Sequence, residues 1–560
     1  MKKFLKYLGL GLLSTFITAT PGLGAERISF FYPPFGEFSL SVDSLEKFAK
    51  EGKIDEDLGF YASRATPEQL AQLRELLQQR FNITPTLVSQ VTYSPIGERV
   101  LQRLGTLVLT ESRKNGFYAL RGALIIAAAS QEGLTIVNLL RRFPSNTVRL
   151  NYTEGLRIVG DLSELLKTRD KVVTYLQQEA IAQATNGNVD FSQQLDLRMP
   201  GKFTWDKQTL QLNDISRDRR LPVDLYLPKA TPEQGPPFPL IVISHGVASD
   251  RYAFAYLAEH LASYGFAVAA LEHPGSNAER IQQYFAGLAS PPDATEFINR
   301  PLDIKYLLDE LQRREKFDTT LQGKLNFQQI GAIGQSFGGY TVLTLAGANI
   351  NFTQLRRDCN PSNSSLNLSL ILQCQATDLL PKNYSLNDDR IKAIIAINPI
   401  DSSILSQSGI SQIQVPVMLV AGSQDIFAPA IPEQIRPFTW LKNPNKYLAL
   451  IENATHFTAI ADSPANPGVL PVPAGLLGPD RTPAYSYLKA LSVAFLETHL
   501  LNRSEYRTYL QPSYAQFISQ TPLNLSLIQS LSTDQFAQAI NQPIRKSAKP
   551  SQPLLIPNSR

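Results

Sequence analysis

Ser336 stands in Gly334-Gln335-Ser336-Phe337-Gly338-Gly339, between the apolar run Gln329-Ile330-Gly331-Ala332-Ile333 and the helical stretch Tyr340 to Ala346. A serine raised on a sharp strand-to-helix turn needs small residues two places before and two places after it, because the neighbouring backbones would otherwise collide. Gly334 and Gly338 occupy those places. A serine hydroxyl becomes a useful nucleophile only when a base takes its proton and an acid holds that base in the right tautomer. Behind such a turn the acid and then the histidine are expected, each on a loop at a strand end. Asp425 follows the apolar run Val415 to Ala421, and His456 follows Tyr447 to Ile451. The other histidine beyond Ser336 is His499, in the helical run Tyr487 to Leu500, where a packing role is expected. Asp401 and Glu452 are the competing acids.

Acyl chemistry at such a serine also needs donors for a carbonyl oxygen that becomes negatively charged. One is the backbone N–H of Phe337, directly after the nucleophile; the second is expected from the loop after an earlier strand. Leu240 to Ile243 followed by Ser244-His245-Gly246-Val247 supplies that loop, and Val247 N–H is assigned as the second donor. His245 reads as a structural loop residue, with a base role as its rival. Glu272-His273-Pro274-Gly275-Ser276 reads as a turn lining the cleft, and no metal site is inferred from it. In Asn299-Arg300-Pro301-Leu302-Asp303 the proline marks a helix opening and Asp303 favours its start.

The elements that must carry these residues fall into two halves. Leu70, Leu73, Leu76 and Leu77 repeat at helical spacing behind Thr66-Pro67-Glu68-Gln69, which supplies an N-cap and a proline at the first helical position. Further helical runs cover Thr86 to Leu109, Gly116 to Phe143 and Thr153 to Ala184. Residues 26–190 therefore read as a small all-α domain. Within it, Ala123 to Ala129 is apolar all round, as in a core helix; a membrane-contacting or lid helix is the sharper alternative. From about residue 191 continuous apolar strands alternate with helices, the pattern of a mainly parallel sheet covered on both faces. This α/β catalytic domain is placed at 191–505, with 349–390 as a candidate cap insertion and 506–560 as a peripheral, partly disordered tail.

Composition narrows the setting more than the partner. A net charge of +4 over 560 residues is too small to indicate nucleic-acid binding. Lys2, Lys3 and Lys6 precede the apolar run Tyr7 to Thr20, followed by Pro21, Gly22 and Gly24-Ala25, the order of a signal peptide over 1–25 with cleavage after Gly24 or Ala25. The run is shorter than a bilayer span, so export to a periplasmic or extracellular space is expected, with retention as an anchor as the alternative. Cys359 and Cys374 are the two cysteines, and in such a compartment a disulfide between them is expected.

Taken in combination, Val242-Ile243-Ser244-His245-Gly246, Tyr256 to Phe266, Glu272 to Ser276 and Gly334 to Gly339 resemble the dienelactone-hydrolase-like carboxylesterases, a group close to platelet-activating-factor acetylhydrolases and polyester hydrolases. The first half is similar to a domain of unknown function found ahead of such hydrolases in cyanobacterial proteins. The resemblance implies the α/β-hydrolase fold and a cofactor-free esterase with Ser336 as nucleophile, His456 as base and Asp425 as its orienting acid. Dienelactone hydrolases themselves use a cysteine where Ser336 stands, so their lactone substrate is not implied; many relatives have histidine where Gln335 stands. The expected substrate is a short-chain or lipid-like ester, with peripheral membrane contact through the helical half. An acyltransferase using the same residues and a non-catalytic envelope protein on a hydrolase scaffold are the rival functions.

Overall fold

The computed structural model describes residues 24–541 other than 82, 185–188, 231–234, 361–362, 364, 462–471 and 473. The expected signal segment before Gly24 and the expected disordered stretch Pro543 to Arg560 lie outside the described residues. The chain divides into two compact units, one of residues up to 163 together with 279–292, the other of 164–278 and 293 onward.

The first unit is mostly helical, but it is α+β and not all-α. Strands β1 (Arg27–Tyr32), β2 (Gly36–Ser41), β3 (Val108–Leu109) and β4 (Thr147–Leu150) form a sheet in the order β2-β1-β4-β3. These strands are short, and two of them flank a Pro33-Pro34 turn that carries no helical period, so periodicity over longer windows passes over them. Phe30 faces Phe38 across β1 and β2 with ring centroids 5.6 Å apart, a cross-strand aromatic pair. The helices follow local chemistry: Thr66 Oγ1 accepts from Gln69 N, and Gln69 Oε1 accepts from Thr66 N, a reciprocal cap. The run from Thr86 breaks at Ser94, where a second helix, Pro95–Leu107, starts on a proline. Helix Phe117–Ala129 buries Ala123 and Ala127, while Ile126 remains half exposed, so this apolar helix is chiefly a core element of its unit. Residues 279–292, although inserted in the hydrolase half of the sequence, belong to this unit: Tyr284 Oη donates to Gln90 O at 2.6 Å.

The second unit is built on β5 (Trp205–Asp214), β6 (Arg219–Pro228), β7 (Phe238–Ser244), β8 (Ala267–Leu271), β9 (Leu325–Gln335), β10 (Ile391–Ile397), β11 (Val417–Gly422), β12 (Lys446–Ile451) and β13 (Leu525–Ile528). They form one nine-stranded sheet in the order β13-β12-β11-β10-β9-β7-β8-β6-β5. The pairs from β8 through β7, β9, β10 and β11 to β12 are parallel, with antiparallel β6 and β5 at one edge and β13 at the other. Leu240 and Val242 of β7 point into one core, and Ile241 and Ile243 into a second on the opposite face. Two covered faces explain why these strands read as unbroken apolar runs. Strand β13 corrects the expectation of a peripheral tail from residue 506, because Leu525 to Ile528 pair with β12 and are buried.

Candidate active site

Strand β9 ends at Gln335 and the helix Phe337–Leu345 begins two residues later, so the chain reverses at Ser336, whose φ and ψ are 56° and −116°. Such a backbone is strained for a residue with a side chain and persists only where the surroundings fix it. Here Ser336 N donates to Ile397 O at 2.9 Å. The glycines are required by close approach: a Cβ on Gly334 would lie 2.0 Å from Gly338 O, and one on Gly338 would lie 2.0 Å from Ser244 O. Gly339 packs on Pro399, where a Cβ would come within 2.8 Å.

Asp425 and His456 sit on loops at the ends of β11 and β12, and those loops are tied together by Ser423 N to Ile451 O and Gln424 N to Ala454 O. Asp425 Oδ1 accepts from Phe427 N and Ala428 N, both at 2.8 Å. Its Oδ2 lies 2.7 Å from His456 Nδ1. A carboxylate so held takes the Nδ1 proton as its donor and leaves Nε2 with a lone pair. Nε2 is 3.4 Å from the Gln335 side-chain amide, which also donates to His456 O at 3.3 Å. Ser336 is thus the chain neighbour of a residue touching His456, and its own Oγ makes no hydrogen bond to the imidazole. The competing acids are elsewhere. Asp401 is fully buried, both its carboxyl oxygens lack a partner among the described residues, and burial followed by the Glu433 charge pushes its pKa well above the usual range. Glu452 accepts instead from Asn524 Nδ2 at 2.6 Å.

The loop after β7 lies against the elbow, since a Cβ on Gly246 would stand 3.3 Å from Ser336 Cβ and 2.4 Å from Gln335 Oε1. Val247, next in sequence, is partly buried, and among the described residues no acceptor takes its N–H. Phe337 opens its helix, where an N–H has no intrahelical partner. His245 is buried, with Nδ1 2.6 Å from Gly246 O and Nε2 accepting from His273 N at 3.0 Å. Burial, then the Arg300 and His273 charges, hold His245 well below its ordinary pKa, so it is a neutral structural residue.

His273 does not line the cleft but is buried, its Nε2 against Ser244 Oγ and its Nδ1 against Asp303 Oδ2, each at 2.9 Å. Asp303 is a correction as well: it lies inside the helix Glu296–Arg314, not at its start, and binds Arg217, Arg219 and His273. The proline misled the helix boundary. Pro301 sits in the interior, and the carbonyl of Phe297, which loses its i+4 donor, accepts instead from Tyr340 Oη at 2.9 Å. Arg300, fully buried in the same helix, donates to His245 O at 2.8 Å and Gly246 O at 3.2 Å. Sequence reasoning passed over this arginine, whose one signal was its place beside Pro301. Burial pulls its pKa down to about 9, opposed by Glu296 and Asp303 and assisted by Arg219, which leaves it a cation at neutral pH.

A cavity of about 370 Å³ opens beside His456, with Ile426, Phe427 and Leu476 as apolar walls and Gln424, Asn453 and Thr455 as polar ones. Among the described residues of the 349–390 insertion none lines it. The described part of that insertion is anchored at depth: Ser369 Oγ and Gln373 Nε2 donate to the buried Glu433 at 2.7 and 3.1 Å, and Cys359 and Cys374 form a disulfide. Among the described residues no group of three or more His, Cys, Asp or Glu side chains is arranged to hold a metal ion.

The sheet order, the strand-to-helix turn at β9 and the crossovers between parallel strands define an α/β hydrolase fold. Residues 24–151 match the family model described as an alpha/beta hydrolase of unknown function (DUF1400), and residues 206–298 match that of platelet-activating factor acetylhydrolase, isoform II. The chain thus has the α/β hydrolase fold, and the two matched stretches are what it shares with these families. Both matches end before Ser336. No curated protein matches the chain.

Proposed function

We propose that this chain is a serine hydrolase that cleaves carboxylic esters through an acyl-enzyme. The observation that carries the reading is the 2.7 Å contact of Asp425 with His456 Nδ1, with Nε2 3.4 Å from the side chain of Gln335, the residue before the strained Ser336. Ser336 Oγ attacks the ester carbonyl carbon while His456 Nε2 takes its proton. The oxyanion is received by the N–H groups of Phe337 and Val247. Collapse breaks the bond to the alcohol oxygen, which leaves with the proton from His456; water, deprotonated by the same imidazole, then releases the acid and restores Ser336. For this cycle Ser336 Oγ must come within reach of Nε2, a contact that often tightens only with substrate bound.

The apolar walls supplied by Ile426, Phe427 and Leu476 favour an acyl or alkyl chain of short to moderate length, and the platelet-activating-factor acetylhydrolase likeness points the same way, to lipid-like esters. Export belongs to the proposal too, on the segment Lys2 to Ala25. A cut after Gly24 would keep Ala25, which is buried and donates to Leu140 O at 3.1 Å. Exposed Phe35 and Tyr118 of the first unit support peripheral contact with lipid.

The test is a panel of p-nitrophenyl esters of increasing acyl length, with a fluorophosphonate probe in parallel. Wild-type protein is expected to hydrolyse the panel and take the label, and Ser336→Ala to do neither. Equal turnover by both proteins would overturn the assignment, and label without hydrolysis would favour acyl transfer to an alcohol.

A further inference from the structure

We propose that Arg300 is a positioning residue for the oxyanion loop, a buried cation that orients and polarises the Gly246–Val247 peptide from behind. The inference rests on the esterase reading above. In a trans peptide the C=O and N–H point in opposite directions. Arg300 Nη2 donates to Gly246 O at 3.2 Å and Nη1 to His245 O at 2.8 Å, so the N–H of Val247 is turned to the side away from the guanidinium. The same loop faces Ser336 at Gly246, where a Cβ would stand 3.3 Å from Ser336 Cβ.

The charge on Arg300 is placed unusually. A buried arginine ordinarily pairs with a carboxylate through a two-point bond. Among the described residues no carboxylate bonds Arg300 directly. Its Nε donates to Ser276 Oγ at 2.9 Å, and that hydroxyl donates to Glu296 Oε2 at 2.9 Å, so the nearest counter-charge on this path is one hydroxyl removed. Arg217 and Arg219 bind Asp303, and Arg219 also binds Glu296. The guanidinium meanwhile lies 4.6 Å over the ring of Phe337, the residue whose N–H is the other donor. One cation therefore lies against the Phe337 ring and bonds the carbonyl side of the Gly246–Val247 peptide. A charged donor on a carbonyl draws electron density from the peptide and strengthens its N–H as a donor.

The experiment compares the wild-type chain with Arg300→Lys and Arg300→Met, each normalised to the concentration of sites that a fluorophosphonate titrates. Two quantities are read: kcat and KM for p-nitrophenyl butyrate, and inhibition by a trifluoromethyl ketone of matching length. In the inhibitor complex Ser336 Oγ bonds the ketone carbon, the carbonyl oxygen becomes an oxyanion, and the serine proton passes to His456.

Removal of a direct oxyanion donor lowers kcat by about 100- to 1000-fold; loss of the support behind one is expected to cost about 10- to 100-fold. Arg300→Met should therefore lower kcat in that range with KM within about threefold, and weaken the ketone by a similar factor, while Arg300→Lys recovers part of both. A role in stability alone would lower the yield of titratable sites without altering kcat per site or ketone affinity, and that result overturns the inference. If Arg300→Met does not fold, Arg300→Lys, which keeps the charge but not the forked donors, decides by the same readouts. A wild type that neither turns over ester nor takes the probe overturns the esterase reading and this one with it; an active wild type with unimpaired Arg300 variants overturns this one alone.

Discussion

An acid can orient an imidazole only if its own rotation is stopped, and Asp425 is stopped by the two backbone N–H groups on Oδ1, which leave Oδ2 alone to meet His456. Asp425→Asn would put an amide in this place. With Oδ1 still held by the backbone donors, its NH2 group would face Nδ1 and favour the tautomer that carries the proton on Nε2, where no serine proton can be accepted. The expected loss in kcat is about 10⁴-fold, at a thermal midpoint close to wild type, measured by steady-state kinetics and circular dichroism on the same preparation. Asp401→Asn is the matched control. That carboxyl is buried, without a partner among the described residues, and raised in pKa first by burial and then by Glu433. Its removal should leave kcat within about twofold, because residues off the reaction path change kcat little. A large loss there with Asp425→Asn active would exchange the two acids.

At the scale of elements, the turn at Ser336 is held from the side by the helix Glu296–Arg314, and one bond between them is open to a direct test. Pro301 withholds an N–H from Phe297 O, and Tyr340 Oη, on the helix that follows Ser336, supplies the replacement. Tyr340→Phe would leave a buried carbonyl unpaired, at a cost of about 1–3 kcal/mol in urea unfolding. Pro301→Ala restores a backbone donor to that carbonyl, so the tyrosine change should cost less in the Pro301→Ala background than alone. Equal costs in the two backgrounds would mean that the hydroxyl does not serve this carbonyl. The strands that position Ser336, Asp425 and His456 were legible because a parallel sheet covered on both faces leaves unbroken apolar runs, and the acid and histidine sit where such runs stop. The support behind them was not. Arg219 meets Glu296 and Asp303 across 77 and 84 residues, Arg300 meets Gly246 across 54, and no local pattern announces pairs so distant. Pro301 was read by its usual place in a first turn, whereas a tyrosine from another helix allows it an interior one.

For the whole molecule, sequence order was a poor guide at the two places where the chain leaves its own region. Residues 279–292 look like a loop of the hydrolase half yet pack in the first unit, and β13 returns after a long excursion to close the edge beside β12. With only Leu525 to Ile528 in it, that strand is too short to mark itself by period. Stability against pH is likewise set by scattered groups. His260, whose Nε2 lies 3.0 Å from Leu197 O, is brought to about 4 by burial, and His499 likewise to about 4. Burial also depresses His245 and His273. A histidine depressed in the folded state favours folding fully above its unfolded pKa of about 6.5, and that advantage is lost as pH falls toward the folded value. Glu497 acts in the opposite sense: burial raises it to about 7 despite Arg503, so its contribution is intact below the ordinary carboxylate range and is lost as pH rises through 7. The histidines thus make acid destabilising between about 6.5 and 4, and Glu497 makes neutrality destabilising between about 4.5 and 7. His260→Gln, whose amide can still donate to Leu197 O, should flatten the acid side of the urea-midpoint profile, by on the order of 3 kcal/mol between pH 7 and pH 4. Glu497→Gln should raise stability at pH 8 relative to pH 5, by up to about 3 kcal/mol. Profiles of wild type and Glu497→Gln that run parallel from pH 5 to pH 8 would show that this buried carboxyl titrates normally, Arg503 offsetting its burial in full.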